Sequence, residues 1–424
     1  MSRKQINPRL VYADRDGNIF DHPELLMLCR KGNEFVQPGP KDLMPLPKGS
    51  DFFLLPGRNA LGLEPGSGTI ETLEAHPVAA FVCPGHTLTG ICAFESAAQS
   101  PPLPLFAYGA LGYANGRFWV CANLVDPDPR QRFEEIPQGR IEQGARDWLT
   151  AFPENRLVRH LANCALNSCC PAARNLALGR YEAPLPTAQG CNAACLGCIS
   201  LQPGDSGFPA TQSRIRFRPS AKEVLQIMQT HVRHESRPIF SFGQGCEGEP
   251  LLEASLIGEV CRMYRQEQGT GTINVNTNGS LPATIPDLAG SGLSSIRVSL
   301  NSGQEEHYSS YYRPGSYGFA EVKETIRAAK SHGLFVSLNY LFFPGFNDTE
   351  QEYAAFGRLL EETGPDFIQL RNLNLDPELY LQTLNPAQSP FMGFHNFKKR
   401  LKKDFPWIRT GYFNPWLGDE EQRA

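Results

Sequence analysis

The sequence lacks any apolar stretch long enough to cross a bilayer, and it has no strong excess of charge of either sign. With 40 basic and 44 acidic residues among 424, its formal net charge is −4, so the chain as a whole is not an obvious partner for a polyanion. The first residues, Met1 to Gln5, are mostly polar and lack the apolar core of a secretory signal. We therefore expect a cytoplasmic protein with no membrane partner.

Cysteine is sparse and unevenly placed, because the chain has only 12 and none follows Cys261. This is too few for a disulfide scaffold, and nothing indicates export. In a reducing compartment, clustered cysteines more often bind metal or carry out redox chemistry. Most of them fall into three groups: Cys83 and Cys92; Cys164, Cys169 and Cys170; and Cys191, Cys195 and Cys198.

The sequence pattern changes three times, which divides the chain into four parts. Residues 1–135 contain short apolar runs bounded by Gly, Pro and Asp, which predict a β-rich domain of unknown role. Residues 136–180 predict a helical connector that contains cysteines. Residues 181–375 alternate strand-like and helix-like segments, and residues 376–424 form a helical and basic tail.

The alternation within residues 181–375 predicts a parallel sheet covered by helices. One helix begins at Ser220, since Glu223 completes a capping box, and another ends at Gly333. We place the first strand near Pro184–Gln189. The other strand-like runs are Ile239–Phe242, Ile273–Val275, Ile296–Leu300, Phe335–Leu338 and Phe367–Leu370. About six such units predict an α/β fold with a partial (βα)6 TIM-like barrel, preceded by the β-rich α+β domain, with the active site at the carboxyl ends of the strands.

The strongest chemical signal is the stretch Gly190–Cys198, which contains Cys191, Cys195 and Cys198 in a Cx3Cx2C pattern. Thiolates are the usual ligands of iron–sulfur clusters, and small neighbouring residues let the backbone approach one. Three protein ligands leave one iron of a four-iron cluster open, as a reactive metal site requires. The alternatives are scattered buried thiols, or a zinc site that would need a fourth ligand.

This stretch resembles the cluster loop of the radical S-adenosylmethionine (SAM) superfamily, and the resemblance continues through about residues 185–375. Gly248-Glu249-Pro250 looks like the GGEP motif of that family, although Glu247 stands where a glycine is usual. Asn276-Thr277-Asn278-Gly279 is similar to the TNG stretch of many members. Polar residues follow the later strands where members contact SAM: Ser299, Asn301, Asn339 and Arg371.

The resemblance implies a defined chemistry. Cys191, Cys195 and Cys198 would hold a 4Fe–4S cluster, and its open iron would bind SAM. Reduction would cleave SAM to methionine and a 5′-deoxyadenosyl radical, which removes hydrogen from an unidentified small molecule, peptide or protein. A low-potential donor such as flavodoxin or ferredoxin would supply the electron. The implied SAM contacts are Gly248, Glu249, Pro250, Thr277, Ser299, Asn301, Asn339 and Arg371. For Glu249, the alternative is a charge that stabilises a helix N-terminus.

The remaining cysteines leave several interpretations open. Cys164, Cys169 and Cys170 could bind a second iron–sulfur cluster, completed by Cys83, Cys92 or Cys121, or they could be buried thiols in a helix turn. Cys83, His86 and Cys92 could bind zinc, but no fourth ligand is evident. Cys246 lies beside the GGEP-like motif and is either a packed thiol or a participant in the chemistry. Because no cysteine follows Cys261, we expect no cysteine-rich C-terminal extension that would hold auxiliary clusters.

Two polar or aromatic stretches are open to more than one function. The segment from His307 to Arg313 could contact SAM or substrate, or it could be an exposed aromatic loop. The basic run Lys398–Lys403, with flanking aromatic residues, could grip RNA or be a solvated helix face. Two function classes therefore stand beside the main one: a radical SAM enzyme that modifies RNA, and a non-enzymatic iron–sulfur or zinc protein. A wide lateral opening in the barrel would favour a macromolecular substrate, and a covered one a small molecule.

Overall fold

The computed structural model describes residues 6–418, which form two sheets of different kinds. Within this part of the chain, the N-terminal sheet has 14 strands and pairs in the antiparallel sense, whereas the second sheet has 7 strands that are all parallel. The predicted α/β fold with a β-rich N-terminal region is therefore confirmed. None of the helices described is long and apolar enough to span a bilayer.

The N-terminal sheet is strongly curled, because β1 pairs with three other strands along its short length. Its first residues pair with β13 and its last with β9, while β2 pairs along the opposite edge. The strands are β1 Arg9–Ala13, β2 Ile19–Met27, β3 Cys29–Lys31, β4 Glu34–Val36, β5 Leu43–Pro45, β6 Asp51–Leu54, β7 Arg58–Leu63, β8 Ile70–Leu73, β9 His76–Phe81, β10 His86–Leu88, β11 Ile91–Cys92, β12 Phe94–Ser96, β13 Gly109–Ala114 and β14 Arg117–Leu124.

Three helices connect the two sheets: α1 Gln138–Ala151, α2 Arg156–Leu166 and α3 Pro171–Ala177. Asn155 caps α2, since its side chain accepts a hydrogen bond from the Val158 N–H and leaves its own amide to donate to the Glu223 carbonyl at 2.9 Å. Proline at the first position of α3 needs no hydrogen-bond partner there. The connector is thus joined to the first helix of the parallel sheet.

The parallel sheet runs in sequence order from β15 to β21, with helices between the strands. Alternate residues of each central strand are apolar and buried beneath the helices, as Val298 and Leu338 show. Its elements are β15 Glu182–Pro184, α4 Ala221–His231, β16 Ile239–Phe242, α5 Ala254–Gln266, β17 Thr272–Thr277, α6 Ile285–Gly290, β18 Ser295–Leu300, α7 Glu305–Tyr312, α8 Phe319–Ser331, β19 Phe335–Phe342, α9 Glu350–Thr363, β20 Phe367–Asn372, α10 Pro377–Leu384, α11 Phe394–Asp404 and β21 Arg409–Gly411. Two 3-10 turns, Pro250–Glu253 and Pro282–Thr284, precede α5 and α6.

The structure corrects the first strand and adds a seventh. The first strand occupies Glu182–Pro184 instead of Pro184–Gln189, because Pro184 and Pro186 lack the N–H groups that a longer ladder would need. β21 then pairs in parallel with β20, beginning with Arg409 beside Phe367. Its first two residues are exposed, so it has no apolar pattern that the sequence could reveal.

The gap between the two edges of the parallel sheet is bridged. Asn414 follows β21, and its amide accepts a hydrogen bond from Gln369 on β20 at 2.9 Å and donates one to Glu182 on β15 at 2.9 Å. Further along β20, Thr87 of the N-terminal sheet donates to the Leu370 carbonyl at 2.7 Å. Both halves of the β20 edge are therefore covered by other parts of the chain.

The N-terminal sheet is fastened to the barrel by a buried ion pair. Arg58 lies 3.1 Å from Asp376, and both side chains are at least 96% buried. Asp376 also accepts from the Leu103 N–H at 2.8 Å and caps α10 through its second oxygen. Because the charge of each partner is neutralised and hydrogen-bonded, this contact fixes one sheet against the other.

Candidate functional site

The cysteine loop is held against α7 and the segment that follows it. The Leu196 N–H donates to the Tyr311 carbonyl at 2.9 Å, and the Ala194 N–H donates to the Arg313 carbonyl. The Tyr311 hydroxyl lies so close that a Cβ on Gly197 would stand only 2.5 Å from it. Backbone contacts therefore set the path of the loop and leave the cysteine side chains free to point elsewhere.

The three thiols face a common space in which they act on one another. Burial raises the pKa of Cys195 above the usual thiol range, and the charges of Cys198 and Cys191 raise it further. Burial likewise raises the pKa of Cys191. Gathered, partly buried thiolates are costly until a cation neutralises them, so this donor set suits a metal–sulfur cluster.

Arg214 provides a positive charge beside the loop that the sequence did not reveal. Its Nη2 donates to the Cys198 Sγ at 3.4 Å, and its Nε donates to the Ser200 hydroxyl at 3.1 Å. A hydrogen bond to a ligating sulfur stabilises negative charge on it. Arg214 is therefore a residue that would tune the electronic properties of a cluster held here.

The GGEP-like stretch runs alongside the residues just before the cysteine loop. The Gly248 N–H donates to the Ala188 carbonyl at 2.8 Å, and the Glu249 N–H donates to the Gly190 carbonyl at 2.9 Å. A Cβ on Gly248 would stand 1.8 Å from the Gly190 carbonyl oxygen. Glycine is thus required at position 248 so that the two stretches can lie together.

Glu247 has a structural role that accounts for its departure from the family pattern. Its carboxylate accepts backbone N–H bonds from Thr187 and Ala188 on one side, and from Gly243 and Gln244 on the other, at 2.6–2.9 Å. Burial raises the pKa of Glu247 to about 7, although the four backbone donors favour its charged form. The carboxylate therefore joins the approach to the cysteine loop to the loop after β16.

The Glu249 carboxyl is buried against the residues at the carboxyl end of β17. One carboxylate oxygen accepts from the Thr277 hydroxyl at 2.5 Å and from the Leu251 N–H at 3.0 Å, and the other accepts from the Asn278 N–H at 2.8 Å. It also precedes the 3-10 turn Pro250–Glu253, so the alternative role at a helix N-terminus is seen as well. Burial raises the pKa of Glu249 to about 7.

The other predicted SAM contacts lie in two environments: three are partly exposed on the inner face of the barrel, and one is fully buried. Ser299 and Asn339 are paired on neighbouring strands and are partly exposed on the inner face of the barrel, and Arg371 lies on the same face of β20. The Arg371 guanidinium stacks 4.1 Å above the ring of Tyr412 and donates to its carbonyl. Asn301 is fully buried, and its amide donates to the His307 carbonyl and the Tyr380 hydroxyl.

The inner face of the barrel carries polar side chains where its outer face is apolar. Besides the residues just described, these are Ser241, Asn274, Asn276, Ser295, Arg297, Ser337 and Gln369. Arg297 donates to the Gln369 side chain at 3.1 Å, while its buried Nε has no partner among the described residues. Burial and the charge of Arg371 lower the pKa of Arg297 to about 10, so it stays cationic near neutral pH.

The segment from His307 to Arg313 is not an exposed aromatic loop. It forms most of α7, with Tyr308, Tyr311 and Tyr312 buried behind the cysteine loop. Burial raises the pKa of Tyr311 well above its usual value, and the nearby Cys195 adds to this rise. The aromatic rings therefore form a buried surface that excludes water beside the thiols of the cysteine loop.

The remaining cysteines do not form the groups that their spacing in the sequence predicted. Cys83 packs against His86, Cys92 contacts the Val78 carbonyl, and Cys121 belongs to a separate cluster in the N-terminal sheet. Cys164 and Cys170 share a buried cluster with Cys246, whereas Cys169 is exposed. The second iron–sulfur cluster stays a prediction, and Cys246 occupies the position that the sequence assigned to a cysteine of the N-terminal domain.

A groove with a volume of about 740 Å³ opens between the N-terminal sheet and α10 with the residues that follow it, and no residue of the cysteine loop lines it. It is lined by residues such as Arg30, Phe94 and Glu378, and no cysteine contributes to it. We therefore assign the functional site from the donor set and hydrogen bonds of the cysteine loop.

The chain is similar to known proteins of the radical SAM superfamily. Residues 185–357 match the family model of the radical SAM superfamily. A GTP 3′,8-cyclase of Thermodesulfovibrio yellowstonii is 30% identical over 174 residues, which is 40% of this chain and 50% of that protein. Molybdenum cofactor biosynthesis protein 1 of Bos taurus is 25% identical over 48% of this chain and 36% of its own length. The match thus spans half or less of these relatives. A radical SAM methyltransferase structure from Sphaerobacter thermophilus aligns with 18% identity and a TM-score of 0.39, covering 55% of this chain and 67% of that one.

Proposed function

Because the chain carries a radical SAM domain and is an enzyme of that superfamily, we propose that it acts on a small, anionic substrate enclosed in its barrel. The cofactors of the superfamily are a 4Fe–4S cluster and SAM. When bound and reduced, they supply a 5′-deoxyadenosyl radical that removes a hydrogen atom from the substrate. The observation that carries the proposal is the covered barrel, whose inner face presents Arg297 to the enclosed space.

In this proposal, Cys191, Cys195 and Cys198 hold the cluster, and each residue around them has a separate task. Glu249 receives the positively charged amino group of SAM, and Thr277 fixes the orientation of its carboxylate through the 2.5 Å hydrogen bond. Ser299 and Asn339 offer polar contacts to the ribose. Gly248 and Pro250 shape the backbone beside the cluster, and the buried tyrosines of α7 keep water away from the radical.

The covered edge of the sheet supports a small substrate. Asn414 bridges β20 and β15, and Thr87 of the N-terminal sheet covers the adjacent stretch of β20. A macromolecule that must present a residue to the radical would need one of these contacts to open. A small molecule needs only an opening at the ends of the strands.

The positive charge inside the barrel supports an anionic substrate. Arg297 and Arg371 both lie on the inner face, and the charge of Arg371 lowers the pKa of Arg297. The charge of Glu182 acts in the opposite direction on Arg297, but the Glu182 carboxylate is engaged by Asn414. A phosphate or carboxylate would relieve this repulsion and bond to the free Nε of Arg297.

The relatives named GTP 3′,8-cyclase provide the first molecule to test. GTP combines a small size with several negative charges, so it meets both requirements. Because the match is confined to about half of those proteins, we use GTP as a probe of the site and not as its assigned substrate.

The RNA-modifying alternative receives less support from the tail. The basic run lies in α11, and Phe397 and Leu401 pack it against the barrel. Arg400 pairs with Glu350 and stacks on Tyr353, while Lys398 lies over Phe394. With part of its charge engaged by the protein, this helix offers less to a nucleic-acid backbone than its sequence suggests.

The test is an anaerobic assay of the reconstituted and reduced enzyme with SAM, alone and with GTP or other small anions. We expect about four irons per chain at the cysteine loop, and 5′-deoxyadenosine formation that rises when the correct anion is added. Reduced flavodoxin should replace a chemical reductant. Arg297→Met should keep the basal cleavage of SAM and lose the stimulation, whereas the exposed control Arg327→Met should keep both.

Several outcomes would contradict the proposal. Stimulation by RNA that weakens with added salt, with no response to small anions, would favour the RNA-modifying alternative. An absence of 5′-deoxyadenosine, with zinc bound in place of iron at the cysteine loop, would leave a non-enzymatic metal protein. Equal stimulation in wild type and Arg297→Met would remove the role of that residue.

A further inference from the structure

A compact group of metal-binding side chains lies outside the cysteine loop. Among residues 6–418, the group of three or more His, Cys, Asp or Glu side chains whose ligand atoms all lie within 4.8 Å of one another is His160, Cys164 and Cys246. His160 and Cys164 are four residues apart on α2 and therefore share one helix face. Their Nε2 and Sγ atoms are 3.6 Å apart.

Cys170 is the nearest further thiol. It belongs to the same buried cluster as Cys164 and Cys246, and its backbone N–H donates to the Cys164 carbonyl at 3.0 Å. It stands immediately before α3, and burial raises its pKa to about 11, although the N–H groups of Ala173 and Ala172 favour its thiolate form. Three donors from α2 and the loop after β16 thus converge, and Cys170 lies in the same buried cluster.

We propose that His160, Cys164, Cys170 and Cys246 bind a single zinc ion in a tetrahedral Cys3His site. This donor set is typical of structural zinc, and metal–sulfur and metal–nitrogen bonds of about 2.3 and 2.0 Å place tetrahedral ligands about 3.5–3.8 Å apart. The contact of 3.6 Å between His160 and Cys164 is of that size. Cys170, which shares the buried cluster of Cys164 and Cys246, would supply the fourth ligand.

The spacing of the donors favours one ion over a cluster. Four irons and four sulfides separate their protein ligands more widely than one ion does, because the ligands surround a larger body. The sulfur atoms of Cys191, Cys195 and Cys198 do not all lie within 4.8 Å of one another, although they resemble the ligands of such a cluster. The ligand atoms of His160, Cys164 and Cys246 do, so these three donors already have the spacing of ligands to one ion.

The electrostatics of the group agree with metal binding. The hydrogen bonds of Cys246 and His160 lower the pKa of Cys164 to about 5, against the effect of burial. Burial and Cys164 together raise the pKa of Cys246 well above the usual value, with the Cys164 hydrogen bond the larger cause. These shifts arise from the close contact of the donors, and that geometry is what supports a metal site here.

The position of Cys246 would connect the proposed zinc site to the GGEP-like stretch. Cys246 directly precedes Glu247, Gly248 and Glu249, and its carbonyl accepts from the Ile215 N–H at 2.8 Å. A zinc ion would thus join the connector helix α2 to the stretch that lies against Gly190. Its role would be to hold that stretch in place, and it would touch neither SAM nor substrate.

The test measures metal content in a full-length variant that lacks the cluster ligands, Cys191→Ala/Cys195→Ala/Cys198→Ala. We expect about one zinc per chain in this background. Adding Cys164→Ala and Cys246→Ala should reduce it at least tenfold, whereas adding the matched control Cys261→Ala, another buried free cysteine, should not change it. Cobalt added to the apoprotein of the background variant should show the visible bands of tetrahedral thiolate coordination, which requires no further substitution.

Three results would overturn the inference. Iron with sulfide in the background variant would establish the second iron–sulfur cluster instead. A Cys164–Cys246 disulfide, found by alkylation and mass spectrometry of protein kept under reducing conditions, would exclude metal binding. A visible spectrum of the cobalt-loaded background variant without thiolate bands would also exclude metal binding by these cysteines. Since the background variant cannot cleave SAM, none of these results depends on the proposed function.

Discussion

The two cysteine sites use the same side chain in opposite surroundings. Cys191, Cys195 and Cys198 lie on one loop, are partly exposed, and are spaced too widely to hold a single ion. Cys164 and Cys246 come from separate segments, are buried, and meet with His160 in a compact group, and Cys170 lies in the same buried cluster. In the proposed assignment, the loop would keep its thiols accessible to SAM, whereas the compact group would connect elements of the fold. Spacing and burial would then distinguish a reactive centre from a structural one.

The largest effect should come from replacing one proposed metal ligand in each of the two cysteine sites. Cys195→Ala should abolish 5′-deoxyadenosine formation, because it removes one of three cluster ligands, while the fold measured by circular dichroism stays intact. Cys164→Ala should leave a measurable rate and instead lower the melting temperature, since the loss of a structural metal destabilises the fold. Retained SAM cleavage in Cys195→Ala would contradict the ligand assignment.

The next effect concerns Gly248, which follows Cys246 in the chain and lies against Gly190 at the start of the cysteine loop. Gly248→Ala should reduce SAM cleavage by roughly 100-fold, because the new methyl group would overlap the Gly190 carbonyl and displace the cysteine loop. The matched control is Gly190→Ala, whose methyl group would meet only Leu252 at 3.9 Å. Equal losses in the two variants would show that the close approach of these stretches is not the cause. Zinc content should be unchanged in both.

A smaller and pH-dependent effect should follow from Glu249. Because burial raises its pKa to about 7, the carboxyl is increasingly protonated as the pH falls below 7, and it then loses its attraction for the SAM ammonium group. We expect the Kd of SAM, measured by anaerobic calorimetry, to rise up to about tenfold for each pH unit below that value. Glu249→Gln should bind SAM weakly at every pH. A parallel pH dependence in that variant would assign the titration to another group.

The smallest effect is expected from Arg214. Replacing it with methionine keeps much of the side-chain volume but removes the hydrogen bond to the Cys198 sulfur. The reduction potential of the cluster, measured by an electron paramagnetic resonance titration, should fall by some tens of millivolts, on the order expected for one such bond. An unchanged potential would show that this contact does not persist once the cluster is bound.

Most of the parallel sheet could be predicted from the sequence. β16 begins and ends where the apolar run Ile239–Phe242 does, and the capping box at Ser220 is present in α4. These features are local, because they depend on side-chain alternation and on contacts within a few residues. The Cx3Cx2C loop was identified for the same reason.

What could not be predicted depends on contacts between distant segments. Nothing near Asn414 indicates that it bridges the two edges of the barrel, and nothing near Cys246 indicates that it meets Cys164. One signal was available, since His160 and Cys164 are spaced for one face of a helix. The segments that wrap the barrel have irregular, half-exposed patterns, so the cover over its lateral opening could be seen only in the structure.

The bridge formed by Asn414 also bears on the order of events during synthesis. Asn414 follows all seven strands of the parallel sheet, so the edge between β15 and β20 can close only after every strand has left the ribosome. Since domains fold as they emerge, from the N-terminus onward, the cysteine loop exists in a half-formed barrel before that closure. If the loop holds the proposed cluster, iron and sulfide would have their widest access to it in this interval. The C-terminal segment would then close the barrel only after the cofactor can be loaded.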